Sequence, residues 1–135
     1  MGMRRSYTVL ALGALVIFGA LLTFPGCGHQ QKLVSLQVTP PGFTFALPYA
    51  GATGQFHAIG TYIHPPATKD VTAQATWRVD DNVVRVSAGL VTTTGGCGST
   101  NVTATMPEGT GGASNIVIGS AFVTVHDPNN PTCPK

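Results

Sequence analysis

The chain is predicted to fold as an all-β protein built of short strands, on three observations. Apolar residues recur at every second position in several stretches, which is the side-chain period of a strand with one buried face. Glycine and proline are frequent, at 17 and 10 of 135 residues, while only 9% of residues are charged. Gly, Thr, Val and Ala dominate what remains, a mix poor for helices and good for strands and turns. The stretches are also short and punctuated by turn residues, the pattern of a sandwich or barrel.

The elements follow in order. Residues 33–38 near-alternate through Leu33, Leu36 and Val38 and stop at Pro40, Pro41 and Gly42. Residues 43–47 alternate and end at Pro48. Residues 54–62 place Phe56, Ala58 and Gly60 on one side, with Gln55, His57 and Thr61 on the other. A loop containing Pro65, Pro66, Lys69 and Asp70 follows. Residues 71–79 alternate over the longest run, with Val71, Ala73, Ala75, Trp77 and Val79 on one face. A helix would scatter those residues around its axis, so the spacing predicts one long strand. Asp80, Asp81 and Asn82 read as a turn. Short strands around Val84 and Val86 and over 89–92 come next, then 101–106 and 116–125, the last two separated by a loop over 107–114. The prediction is seven to eight strands with no helix after residue 26.

The first 26 residues differ in kind. Arg4 and Arg5 precede an apolar run over 9–24, and Gly26 precedes Cys27. A basic start, an apolar core and a small residue before the cut describe a secretory signal peptide, which would be helical. A cysteine directly after that small residue resembles the lipobox of bacterial lipoproteins. The resemblance implies that Cys27 receives a diacylglycerol, that cleavage precedes it, and that the new amino terminus is acylated. The alternatives are a signal peptide cut elsewhere and an uncleaved span. Residues 7–24 number 18, the lower edge of what crosses a bilayer, and Gly13, Gly19 and Pro25 suit an anchor helix poorly. A single acyl chain holds a protein only marginally, so several chains on Cys27 would make a durable anchor.

Removing the first 26 of 135 residues leaves 109, one small domain by length. Arg4 and Arg5 leave with the signal, and the five remaining Lys and Arg balance five Asp and Glu. The net charge of +2 therefore belongs to the signal. No basic patch is present to hold nucleic acid phosphates, and no basic amphipathic helix suggests docking on a membrane surface.

Several motifs occur in order along 33–126: Val38-Thr39-Pro40, Gly54-Gln55-Phe56, Val71-Thr72 leading to Thr76-Trp77, Val84 through Ser87-Ala88-Gly89-Leu90-Val91, Gly98-Ser99-Thr100-Asn101-Val102, and Val123-Thr124-Val125. Together they resemble the bacterial Ig-like domain of group 2, a module found in intimin- and invasin-like adhesins and other surface proteins. The resemblance implies an immunoglobulin-like β-sandwich in which Trp77 packs between the sheets as a structural core residue. The chain then divides into a signal peptide (1–26), a tether (27–32), the Ig-like domain (33–126) and a Pro-rich tail (127–135).

With Cys27 acylated, Cys97 and Cys133 remain as a pair, and even cysteine counts in exported domains suggest disulfides. In the implied sandwich, the strand starting at Ser99 and the strand ending at Val125 are antiparallel neighbours. Cys97 precedes the first and Cys133 follows the second, so a bond would pin the tail to one end of the sandwich. Free thiols and an intermolecular bond are the alternatives.

Little in the sequence points to catalysis or cofactors. His29, His57, His64 and His126 lack close metal-ligand spacing, and His57 is expected to be exposed. No Gly-x-Ser-x-Gly elbow accompanies the Ser, His and Asp residues. Asp80, Asp81 and Asn82 could offer oxygens to calcium but read better as a polar turn. The glycine pairs at 95–96 and 111–112 lack the strand-to-helix setting of phosphate loops. No metal, cofactor or small-molecule substrate is expected.

The expected function is that of a non-enzymatic lipoprotein. Lipid on Cys27 would hold one Ig-like module at the cell envelope, the outer membrane being favoured because Gly28 replaces the Asp of an inner-membrane retention signal. The module would serve adhesion, protein binding or a structural role, with an unidentified protein or glycan partner. The alternative is a carbohydrate-binding module or an accessory domain of a surface complex, with Tyr49, Tyr62 and Phe43 as candidate stacking aromatics.

Overall fold

A computed structural model describes residues 31–109 and 115–133. Residues 1–30, with the expected signal peptide and Cys27, lie outside the described residues. Within them the chain forms ten strands: β1 (Lys32–Thr39), β2 (Gly42–Phe45), β3 (Thr53–Gln55), β4 (His57–Ile63), β5 (Ala67–Asp70), β6 (Thr76–Val79), β7 (Val84–Ser87), β8 (Leu90–Thr93), β9 (Gly98–Pro107) and β10 (Ile116–Val125). No helix occurs among the described residues.

The strands form three hydrogen-bonded sheets in the orders β1-β4-β5, β2-β10-β9-β6 and β3-β8-β7. β3 and β4 are one run of chain broken at Phe56, so the first and third sheets share it and make one layer. The second sheet makes the other, an arrangement consistent with a β-sandwich. All pairs are antiparallel except β2 with β10, which is parallel.

The core lies between the layers and follows from alternation. Leu36 and Val38 on β1, Val102 and Ala104 on β9, and Ala121, Val123 and Val125 on β10 all point inward. Phe56 and Val91 complete its centre without solvent exposure. β1 crosses closely over the part of β10 that β2 does not cover. A Cβ at Gly119 would stand 2.5 Å from the Leu36 carbonyl oxygen, so only glycine permits this approach.

Three features depart from the sequence reading. The long strand expected over 71–79 is a turn followed by the short β6. The N–H groups of Gln74 and Ala75 both donate to the Val71 carbonyl, at 2.9 Å each, and the Asp70 carboxylate accepts from the Thr72 N–H at 2.9 Å. Asp and Thr side chains offer the backbone an alternative to a ladder. The chain also has to cross here from β5 in one layer to β6 in the other, which a continuous strand cannot do. The loop expected around Lys69 and Asp70 instead pairs with β4, Ile59 opposite Asp70 and Tyr62 opposite Ala67. The stretch over 54–62 is interrupted at Phe56, although Gly54, Phe56, Ala58 and Gly60 are all buried on the expected side.

Candidate interaction surfaces

Strand polarity defines two ends of the sandwich. Lys32 of β1 lies opposite Ile63 of β4, and the Leu33 N–H donates to the Glu108 carbonyl at 2.8 Å. Ile116 of β10 lies opposite Pro107 of β9, so these residues share the end where the chain enters β1. At the other end Val125 lies opposite Gly98, and β3, β7 and β8 run to Thr53, Val84 and Thr93.

The far end is built around Thr93, which is 3% exposed. Its hydroxyl donates to the Tyr49 carbonyl and accepts from the Ala52 N–H at 3.0 Å, fastening the loop between β2 and β3. Beside it an open hollow of about 220 Å³ is lined by Ala50, Arg85, Thr92, Thr93 and Thr94. Tyr49 is 68% exposed. Cys97 and Cys133 meet at this end at disulfide-bonding distance, with their Cα atoms 5.7 Å apart. The tail between them and β10 is folded into turns. The His126 N–H donates to the Phe45 carbonyl at 2.8 Å, and Asp127 Oδ1 accepts from the Asn129 N–H at 2.9 Å. Asp80 and Asp81 are engaged in the turn before β7: Asn101 Nδ2 donates to Asp80 Oδ2 at 3.0 Å, and the Asn82 N–H to Asp81 Oδ1 at 2.6 Å.

The candidate stacking aromatics are not brought together. Tyr62 sits on β4 near the entry end, with the Lys69 ammonium 5.1 Å from its ring centroid. Nine residues of extended chain separate it from Thr53, roughly 30 Å at strand rise. Phe43 packs against Phe45 and Phe56, with ring centroids 4.8 and 6.2 Å away. Trp77, on the edge strand β6, is partly buried against the core and donates from Nε1 to the Thr72 carbonyl at 2.8 Å. Among the described residues Phe56 is the wholly buried aromatic.

A His, an Asp and a hydroxyl do come together on the outer side of β4 and β5. His57 Nδ1 lies 3.1 Å from Asp70 Oδ2, and Thr72 Oγ1 donates to Asp70 Oδ1 at 2.5 Å. In a nucleophilic triad the imidazole stands between hydroxyl and carboxylate. Here the carboxylate stands between the other two, so the imidazole is not the group that accepts from the hydroxyl. The Thr72 oxygen also accepts the Ala58 N–H at 2.9 Å. This is a cap for the turn after β5. The Thr72 hydroxyl, then the Thr72 N–H, hold the Asp70 carboxyl below the ordinary carboxylate range, and His57 adds less. Among the described residues His57, His64, His126 and the acidic residues form no group of three potential metal ligands, and His29 lies outside them.

The outer face of β10 carries apolar side chains at alternate positions: Ile116 and Ile118 are 66% and 62% exposed, and Phe122 is 51% exposed. The sequence reading named none of these as surface candidates, although the alternation that buries Ala121, Val123 and Val125 also forces Phe122 outward. A second open hollow, of about 200 Å³, lies beside Ile116 and is lined by Thr76, Thr105, Met106 and Pro107. No protein-family model matches the chain, and no curated protein matches it in sequence.

Proposed function

We propose that the protein is a non-enzymatic lipoprotein, held in the cell envelope by lipid on Cys27 and presenting one Ig-like module for binding or structural support. The anchor rests on the signal-like run that ends at Gly26 and Cys27. The module rests on strand order. β1 pairs antiparallel with β4, while β2 joins the other layer parallel to β10. The first strand is thus divided between the layers, which read β1-β4/β3-β8-β7 and β2-β10-β9-β6. Leaving aside β5 and the added β2, this is the four-over-three strand order of an immunoglobulin sandwich. That order is the observation that carries the Ig-like reading. A fold of this kind does not name its ligand; the surfaces it offers are the far end around Tyr49 and the outer face of β10.

The test is the intact mass of the protein purified from its native membranes, beside a Cys27→Ala variant. A chain beginning at residue 27 with added acyl mass, lost in the variant, supports the anchor. An unmodified chain cut elsewhere overturns it.

A carbohydrate-binding role is the second reading, favoured by one observation. The exposed Tyr49 adjoins a hollow that offers Arg85 and three threonines, an apolar face beside hydrogen-bonding groups. Binding on a glycan array that disappears with Tyr49→Ala would support it, and an array without hits would remove it.

A further inference from the structure

The entry end of the sandwich carries the exposed isoleucines. Ile116 and Ile118 project from the start of β10, and Val34, 44% exposed, follows Leu33 on β1. Leu33 is tied to this end through the Glu108 carbonyl. One ion pair lies here, Lys32 Nζ 3.0 Å from Glu108 Oε1, while the Lys69 ammonium stands over the Tyr62 ring and donates to Gln31 Oε1. Apolar side chains around a neutralised ion pair can leave water without stranding that pair's charges, and a long lysine side chain can keep its ammonium at the polar headgroups. Cys27 precedes Lys32 by five residues, and five residues of chain reach at most about 18 Å.

We propose that this end rests on the lipid bilayer, with Ile116 and Ile118 entering the headgroup region, so that Tyr49, the hollow beside Arg85 and the Cys97–Cys133 tail face away from the membrane. The proposal rests on the lipid-anchor reading. Attachment of Cys27 makes the contact intramolecular, so a small apolar patch is enough to bias orientation where it could not recruit a free protein. Phe122, on the same face, lies six residues further along β10, roughly 20 Å from Ile116 at strand rise. It stays above the bilayer in this orientation.

The experiment uses the full acylated chain in vesicles of phosphatidylethanolamine and phosphatidylglycerol. A nitroxide is placed on Ile118→Cys or, separately, on Tyr49→Cys. Both positions are exposed, so neither substitution disturbs the core. Collision rates with oxygen and with a water-soluble nickel chelate report depth. The proposal expects the label at 118 to be several-fold better shielded from nickel, and richer in oxygen collisions, than the label at 49. Equal nickel access at both positions, in a sample whose mass shows acylation, overturns the proposal and leaves the anchor standing. A mass without acyl groups removes the anchor and the proposal with it. Shielding at 118 that disappears when the protein is diluted with lipid identifies a second copy as the occupant and also overturns it.

Discussion

The Gly89 carbonyl accepts a 2.8 Å hydrogen bond from the Phe56 N–H, and a Cβ at Gly89 would stand 2.3 Å from the Phe56 carbonyl oxygen. The β7–β8 hairpin turn is thereby locked against the one point where β3 passes into β4. Ser87 lies opposite Leu90, and the two residues between, Ala88 and Gly89, have φ of 48° and 79°, as a type I′ turn requires. The turn holds the interrupted strand where its ladder lapses, and Phe56 fills the core beneath.

Gly89→Ala is expected to be costly, because left-handed backbone and a collision with backbone coincide. Strained backbone alone costs about 1–3 kcal/mol, and the contact with Phe56 adds to it. Urea unfolding followed through the single tryptophan, Trp77, should show at least a 2 kcal/mol loss, about the middle of that range. The neighbouring Ala88→Gly should be near neutral, and an equal loss for both would refute this account of Gly89.

Phe56 and Trp77 should separate in a mutational comparison. Phe56→Ala removes a fully buried ring and should cost about 3–5 kcal/mol. Trp77→Phe keeps most of the packing of a half-buried ring and loses one hydrogen bond to Thr72, about 1 kcal/mol. Comparable losses at the two positions would place the centre of the core at Trp77 instead. Circular dichroism suits both variants, since the second lacks the fluorophore.

Reduction of the Cys97–Cys133 pair should loosen the tail before the sandwich. Chain-entropy reasoning for a separation of 36 residues gives roughly 3–4 kcal/mol, with a mechanism that is model-dependent. Under reductant, amide exchange should rise first over 127–133 and leave β9 and β10 protected. Alkylation without reductant should add no mass, and two labelled thiols would show that the pair is not bonded.

Acid should weaken the fold through two carboxylates, the exposed Asp70 and the partly buried Glu108. The Lys32 ammonium, then the Asn115 amide, hold the Glu108 carboxyl below its ordinary range, as Thr72 chiefly does for Asp70. Each therefore binds its proton more weakly folded than unfolded. Such a group stabilises the fold above its unfolded pKa, about 4, and the contribution disappears as pH falls through the lower folded value. Melting temperature should be level near neutrality and decline below about pH 4, with a shallower decline in Asp70→Asn. An unchanged acid limb in that variant would show that the Thr72 cap does not contribute.

Alternation made much of the architecture legible. Ile116 through Val125 reads as a strand because its apolar residues recur at every second position beside Gly119, and β10 has those bounds. The short strands around Val84 and over 89–92 were likewise readable, although Gly89 belongs to the hairpin turn with Ala88 and the second strand starts at Leu90. The same rule failed over 71–79. Apolar spacing there is equally regular, yet Asp70 and Thr72 close a turn whose hydrogen bonds outcompete a ladder. The surface candidates were less legible than the fold. Tyr49, Tyr62 and Phe43 are alike in sequence, and only their placement separates a ring standing largely in solvent from one beneath a lysine and one packed against Phe56 with an exposed edge.

By itself the sequence determined that the chain makes strands and turns, that residues 1–26 differ in kind from the rest, and that its charge balances after them. These follow from local chemistry: side-chain period, turn propensity and residue type. Only the tertiary structure decided which strands pair, that β1 and β2 join different layers, and that Cys97 meets Cys133. It also decided that Phe56 is wholly buried while Trp77 packs partly buried against the core, and that Ile116 and Ile118 gather at the end where β1 begins. Those outcomes depend on contacts between residues far apart in the chain, which local periodicity does not encode.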